Sequence, residues 1–171
     1  MDSEVVVRSA RLDDAFALAR VHVGTWRETY RGVMRDVVLE APDFIARREQ
    51  FRTTVLSDAR FDGGVAVAER DDEIVGIALA GPATGDDARR VTQLYVLYTY
   101  LAVHGSGVGS ALLAAVFNER TSSALWVAEP NSRAHAFYRK HGFVRDGTIK
   151  VDDGVLEVRM VRPAGVSAST S

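Results

Sequence analysis

The stretch His104-Gly105-Ser106-Gly107-Val108-Gly109-Ser110 sits between two different periodicities. Before it, Val91 to Val103 is a long run rich in valine, leucine and tyrosine, strand-like at least in its first half. After it, Val108, Leu112, Val116 and Phe117 mark a helix. Three glycines at a strand-to-helix junction let main-chain N–H groups approach a ligand without Cβ obstruction. The helix N-terminus adds unpaired donors and a partial positive charge. Together these form a cradle for a pyrophosphate. A plain glycine-rich turn would read the same way, because short glycine motifs are weak signals.

The pattern extends in both directions. Val5 to Arg8 reads as a strand. Leu12, Ala15, Phe16 and Ala19 then recur at helical spacing and continue through His22, Trp26 and Tyr30. A second helix is predicted from Asp43 to Leu56, with Phe44, Phe51 and Val55 on one side. Val65–Glu69 and Glu73–Ala80 read as strands joined by a hairpin turn at Arg70-Asp71-Asp72. Pro82 to Asp87 reads as a loop. Leu125–Val127 is a short buried strand, and Ala134, Phe137 and Tyr138 mark a helix that stops near Gly142. Phe143–Asp146 and Val155–Arg162 close the series as strands. The order β-α-α-β-β-β-α-β-α-β-β is mixed α/β. No repeat or linker divides it, so one domain is expected over residues 1–163, with a disordered small polar tail over 164–171.

The composition excludes several classes. The chain has 171 residues, enough to bury its own core without staples. It has no cysteine, which removes thiol nucleophiles, cysteine-ligated metals and disulfides. No histidine–carboxylate spacing points to a metal site. A net charge of −2 gives no general attraction for nucleic acid or anionic membrane. There is no apolar run near the roughly 18 residues of a membrane span. The acidic start Met1-Asp2-Ser3-Glu4 is unlike a secretory signal, so a cytoplasmic setting is expected.

Two phosphate-binding classes compete for the glycine loop. A Walker A loop needs Gly-Lys-Ser/Thr, but Gly109 is followed directly by Ser110. Gly105-x-Gly107-x-x-Ser110 approximates a dinucleotide fingerprint, with Glu129 placed near where a ribose-binding acid belongs. Too little chain follows Glu129 to complete the parallel units of that fold. A nicotinamide-dinucleotide enzyme is therefore the lesser alternative.

Three stretches resemble the GNAT superfamily of acyl-CoA-dependent N-acetyltransferases, over about residues 5 to 162. One is Leu94-Tyr95-Val96-Leu97 followed by His104 to Gly109, similar to the family's Q/R-x-x-G-x-G/A loop. The second is Leu125-Trp126-Val127-Ala128-Glu129-Pro130-Asn131 followed by Arg133, Ala134, Phe137, Tyr138, Lys140, His141, Gly142 and Phe143. The third is His22 to Met34, with Trp26, Tyr30 and Arg31. The resemblance implies a single mixed, mostly antiparallel central sheet flanked by helices. It implies acetyl-CoA as co-substrate, a small-molecule primary amine as acceptor, and direct attack in a ternary complex. A homodimer is the candidate assembly, and a non-catalytic acyl-CoA-binding or sensor domain is the alternative reading. Two departures stand out. His104 replaces the usual glutamine or arginine. Six residues, Tyr98 to Val103, separate Leu97 from His104 where the family has about three.

The resemblance also assigns residues. Tyr95, Val96, Leu97, His104, Gly105, Ser106, Gly107, Val108, Gly109, Ser110, Asn131, Phe137, Tyr138 and Lys140 would line the cofactor. Tyr138 would be the acid that protonates the leaving thiolate. A phenol of pKa about 10 donating to a thiolate near 8.5 is uphill by about 2 kcal/mol, so its help depends on tuning by the site. Asn131 would bind the pantetheine or cap the next helix. The base is open. An alkylamine of pKa about 10.4 costs about 4.6 kcal/mol to deprotonate near pH 7. Gln93 stands where many relatives carry a glutamate, which leaves Glu129, Glu28 and His22. Trp26 and Tyr30, with Gln93, are the candidate acceptor wall. His135 and His141 are expected on the solvent side of their helix. The acidic pairs Asp71-Asp72, Asp86-Asp87 and Asp152-Asp153 raise a cationic acceptor as a further expectation.

Overall fold

The computed structural model describes residues 4–32, 35–87, 91–152 and 154–165. In chain order the elements are β1 (Val6–Ser9), α1 (Ala15–Tyr30), α2 (Asp36–Leu39), α3 (Phe44–Leu56), β2 (Val65–Arg70), β3 (Glu73–Pro82), β4 (Val91–Thr99), α4 (Val108–Val116), β5 (Ser122–Ala128), α5 (Ser132–Lys140), β6 (Val144–Asp152) and β7 (Val155–Arg162). The strands form one sheet in the order β1-β2-β3-β4-β5-β7-β6. The β1–β2, β2–β3, β5–β7 and β6–β7 pairs are antiparallel, and β4–β5 is parallel. This is the mixed, mostly antiparallel sheet with helices that the family resemblance implies. It adds the one-turn α2 and a much longer β6. The predicted tail lies outside the described residues beyond Gly165. No helix among the described residues is long and apolar enough to cross a membrane.

The chain forms two compact units. The first comprises Met1–Leu79 and Val96–Val116. Its core joins Leu18 and Val21 of α1, Val55 of α3, Val65 and Val67 of β2, Ile77 and Leu79 of β3, and Val96 of β4. Helix α1 packs on α3, and α4 packs on β1 and β2. The β2–β3 hairpin turns at Asp71 and Asp72 as predicted, with φ of 53° and 63°. Two successive left-handed residues are the signature of a type I′ turn, whose twist matches that of the flanking strands.

Helix α3 faces differently from the prediction. Phe51 is 50% exposed, while Arg52 is 1% exposed. The inward stripe carries Arg52 and Val55, with Ile45, Arg48 and Leu56 half-buried beside them. Arg52 turns inward because a hydrogen-bond acceptor, His22 of α1, lies within the unit. The side chain of Phe44 lies outside the described residues.

The second unit comprises Ala80–Tyr95 and Phe117–Ser171. Strand β5 is its centre: Ala124, Leu125, Val127 and Ala128 are buried, and Val158 and Met160 of β7 pair with Val127 and Leu125. Phe143 is fully buried between the rings of Phe117 and Tyr138. The guanidinium of Arg162 lies 5.0 Å over Phe143 and 5.4 Å over Phe117. The parallel ladder pairs Val91–Leu94 of β4 with Ser122–Leu125 of β5.

Candidate active site

The glycine loop is held at both ends. Strand β4 runs on to Thr99, and a 3₁₀ turn over Leu101–Val103 leads into the loop. The extra residues before His104 clasp α1. The ring of Tyr98 meets His22 at 4.9 Å and Trp26 at 6.4 Å between centroids. The Tyr100 hydroxyl donates to the Arg20 carbonyl at 3.3 Å. Its ring lies so close over Gly24 that a Cβ there would come within 2.7 Å of it. The Leu101 N–H donates to Glu28 Oε2 at 3.0 Å.

Beyond the clasp, His104 donates from Nε2 to the Thr99 carbonyl at 3.1 Å, closing the base of the loop. In a neutral ring that bond leaves Nδ1 as a bare acceptor, and Nδ1 is buried with no hydrogen-bond partner among the described residues. The imidazole that replaces the family's glutamine or arginine thus braces the loop through its other nitrogen. Gly105 and Gly107 adopt φ of 79° and 85°, a region that disfavours side chains. The Ser106 hydroxyl donates to the Val103 carbonyl at 2.6 Å. The first bond of α4 runs from the Ala111 N–H to the Gly107 carbonyl at 3.0 Å. The amides of Val108 and Gly109 therefore precede the ladder, in the region where a helix has donors to spare. The side chains of Val108, Leu112 and Leu113 are buried, so this end is fixed in place.

The second unit carries several of the other predicted residues. Gln93 is half-buried, and Leu94 is buried. Tyr95 projects its hydroxyl to the Pro82 carbonyl at 2.5 Å. Val96 and Leu97 continue β4 in the first unit, where Val96 joins the core. Asn131 caps α5: its Oδ1 accepts from the Ala134 N–H at 3.1 Å. That bond uses the side-chain oxygen and leaves the amide NH2 as a donor. Glu129 is paired with Arg145 at 2.7 Å. Tyr138 is 8% exposed, with its ring edge-on to Phe137 at 5.3 Å and to Phe143 at 5.9 Å. Phe137 is half-buried and also meets the His141 ring at 4.5 Å, and Lys140 is exposed. His135 departs from the expected solvent side. It is 3% exposed because its Nε2 donates to the Ala128 carbonyl, tying α5 to the end of β5. His141 is half-buried, and burial with the charges of Lys140 and Arg162 lowers its pKa.

A cluster of aromatic and cationic side chains lies within the first unit. His22, Trp26 and Tyr30 follow one stripe of α1, with ring centroids 4.9 Å and 5.6 Å apart in succession. Arg48 holds its guanidinium carbon 5.3 Å from the centre of the Trp26 ring. An Arg52 guanidinium nitrogen lies 2.6 Å from His22 Nδ1. Arginine can only donate, so Nδ1 accepts and the proton of the neutral ring sits on Nε2. Burial and the charges of Arg52 and Arg48 push the His22 pKa down to about 2. With its acceptor nitrogen occupied, His22 is not available as a base.

Arg52 itself is a buried cation. Its pKa is pushed down to about 10, mainly by burial. Among the described residues it forms no ion pair, and its Nε has no hydrogen-bond partner. Burying an ion without a counter-charge costs several kcal/mol. Sequence reading gave Arg48 and Arg52 no role. The available signal was their i, i+4 spacing, in phase with Val55.

Known proteins share both the sequence and the fold. Residues 61–145 match the model of the acetyltransferase (GNAT) domain. An uncharacterized N-acetyltransferase of Bacillus subtilis, YuaI, is 30% identical over 133 residues, covering 74% of this chain and 73% of that protein. A probable N-acetyltransferase of Mycobacterium tuberculosis is 28% identical over 149 residues, covering 85% of this chain and 83% of its own length. The fold matches the crystal structure of the PaiA N-acetyltransferase of Thermoplasma acidophilum in complex with coenzyme A. The TM-score is 0.70 at 17% identity, over 91% of this chain and 98% of that one. The chain belongs to the GNAT family and is an N-acetyltransferase.

Proposed function

We propose that this protein transfers the acetyl group of acetyl-CoA to the primary amine of a small molecule, by direct attack in a ternary complex. The supporting observation is the loop at residues 105–109. It has two left-handed glycines, amides that precede the α4 ladder, and open space where Cβ atoms at Gly105 and Gly107 would stand. That donor set fits a diphosphate. The residues Val96 and Leu97 of β4 would pair with the pantetheine arm, with Asn131 donating from its amide nitrogen.

Acetyl-CoA supplies an activated thioester, and the chain's residues do the rest. Tyr138 donates its phenolic proton to the departing sulfur. The rings of Phe137 and Phe143 fix its direction, and a dry setting strengthens a hydrogen bond to a developing thiolate. Trp26 and Tyr30 form the wall against which the acceptor lies. Of the three candidate bases, His22 is spent on Arg52 and Glu129 is held by Arg145. Glu28 accepts the Leu101 N–H through Oε2 and has no cation partner among the described residues, so its Oε1 is the site proposed to take the amine proton.

The test combines calorimetric titration with CoA and with NAD, and thiol release from acetyl-CoA across a panel of primary amines. The expected result is CoA binding with amine-dependent thiol release. Binding of NAD without CoA would select a dinucleotide enzyme. CoA binding with no turnover on any amine would select an acyl-CoA sensor.

A further inference from the structure

We infer that the acceptor carries an oxyanion, a carboxylate or a phosphate monoester, which the two α3 arginines recognise beside Trp26. This rests on the acetyltransferase reading above and narrows its substrate class. The inward stripe of α3 is where an amphipathic helix places hydrocarbon. Here it carries Arg52 at 1% exposure, while Phe51 is turned outward at 50%. Arg48 stands one turn earlier on the same helix, half-buried, with its guanidinium over Trp26. The two cations are thus neighbours, and like charges at i, i+4 repel.

Among the described residues no carboxylate pairs with Arg52, and Tyr98, which favours its charged form, does not offset burial and the charge of Arg48. The hydrogen-bond partner of Arg52, His22, is a neutral imidazole, and the Arg52 Nε proton is buried without an acceptor among the described residues. A guanidinium presents its donors as a planar fork matched to two oxygens of a carboxylate or phosphate. Arg48 is the outer member, reachable from the half-buried edge formed by Trp26, Tyr30 and Tyr98. Arg52 is the inner member, adding its field from behind and holding His22 in one tautomer. The acidic loop pairs in the sequence point to a cationic acceptor, but the charges beside the aromatic wall have the opposite demand. An acceptor with an amine at one end and an oxyanion at the other satisfies it.

The test has two arms. In the first, thiol release is compared for glycine against glycinamide, β-alanine against its amide, and O-phosphoethanolamine against ethanolamine. The expected result is kcat/KM higher by about tenfold or more for the anionic member of at least one pair. The pair that responds separates carboxylate from phosphate. Arg48→Gln should abolish that preference by raising KM for the anionic acceptor, with KM for acetyl-CoA unchanged. Arg48→Lys should restore part of it. The second arm needs no turnover: N-acetylglycine, N-acetyl-β-alanine, N-acetylglycinamide and O-phosphoethanolamine are titrated into the CoA-saturated protein while Tm and Trp26 fluorescence are followed in a Trp126→Phe background. Saturable responses to an anionic ligand, matched for ionic strength and lost in Arg48→Gln, support the site even if no amine in the panel turns over. Equal kcat/KM within every pair, or no saturable response to any of the anions, overturns it.

Discussion

His22 and Arg52 meet at 2.6 Å, imidazole to guanidinium, with both side chains buried. Burial, with the charges of Arg52 and Arg48, keeps the ring neutral, and this makes stability depend on pH. The folded His22 pKa lies near 2, below the ordinary 6.5. Below about pH 6.5 the unfolded chain binds a proton that the folded one refuses. The stability of the neutral ring is therefore fully present above that value and is lost as pH falls. The slope for one such proton is about 1.4 kcal/mol per pH unit. His22→Asn keeps an acceptor for Arg52 and removes the titration. Urea unfolding of both proteins from pH 7.5 to 4.5 should show the parent's advantage shrinking below about pH 6 at roughly that slope. A constant difference would refute the neutral ring.

The clasp after β4 makes a packing prediction. Gly24→Ala places a methyl within 2.7 Å of the Tyr100 ring, which is itself bonded to Arg20. Overpacking of this kind costs about 1–3 kcal/mol. In urea unfolding, the double variant Gly24→Ala with Tyr100→Leu should be less destabilised than the sum of its parts.

The loop makes a binding prediction. Gly107 has φ of 85°, so Gly107→Ala costs about 1–2 kcal/mol of backbone strain or shifts the amides. The expected outcome is a rise of about tenfold in Kd for CoA by calorimetry, with a near-parental circular dichroism spectrum.

The β2–β3 turn carries two left-handed aspartates, Asp71 and Asp72. Replacing them by Asn-Gly, the pair this turn type favours, should stabilise the protein by about 0.5–1 kcal/mol. Thermal unfolding checks the sign.

Most of this architecture was legible in the sequence because its segments differ in period. The hairpin at Asp71-Asp72 and the stop at Gly142 follow from turn and glycine chemistry that acts locally. What escaped depends on partners in other elements. Arg52 is inside because His22, thirty residues earlier, offers it a lone pair. His135 is inside because the Ala128 carbonyl does the same. Periodicity ranks residues by hydrocarbon content and cannot see such pairings. The six residues before His104 stand out in the sequence only as a departure in spacing, for the same reason. Their function as a clasp needs Gly24, Arg20 and Glu28 of α1. At the candidate site the glycine loop and Asn131 were readable from local sequence, while the cationic pair beside Trp26 was not.

Thiol release from acetyl-CoA by Tyr138→Phe, compared with the parent on the same amine, bears most directly on the proposed mechanism. The ring's packing against Phe137 and Phe143 is kept, so only the proton donor is lost. The account predicts a fall in kcat of about 10²-fold or more, with KM for acetyl-CoA little changed. An unchanged kcat would contradict it.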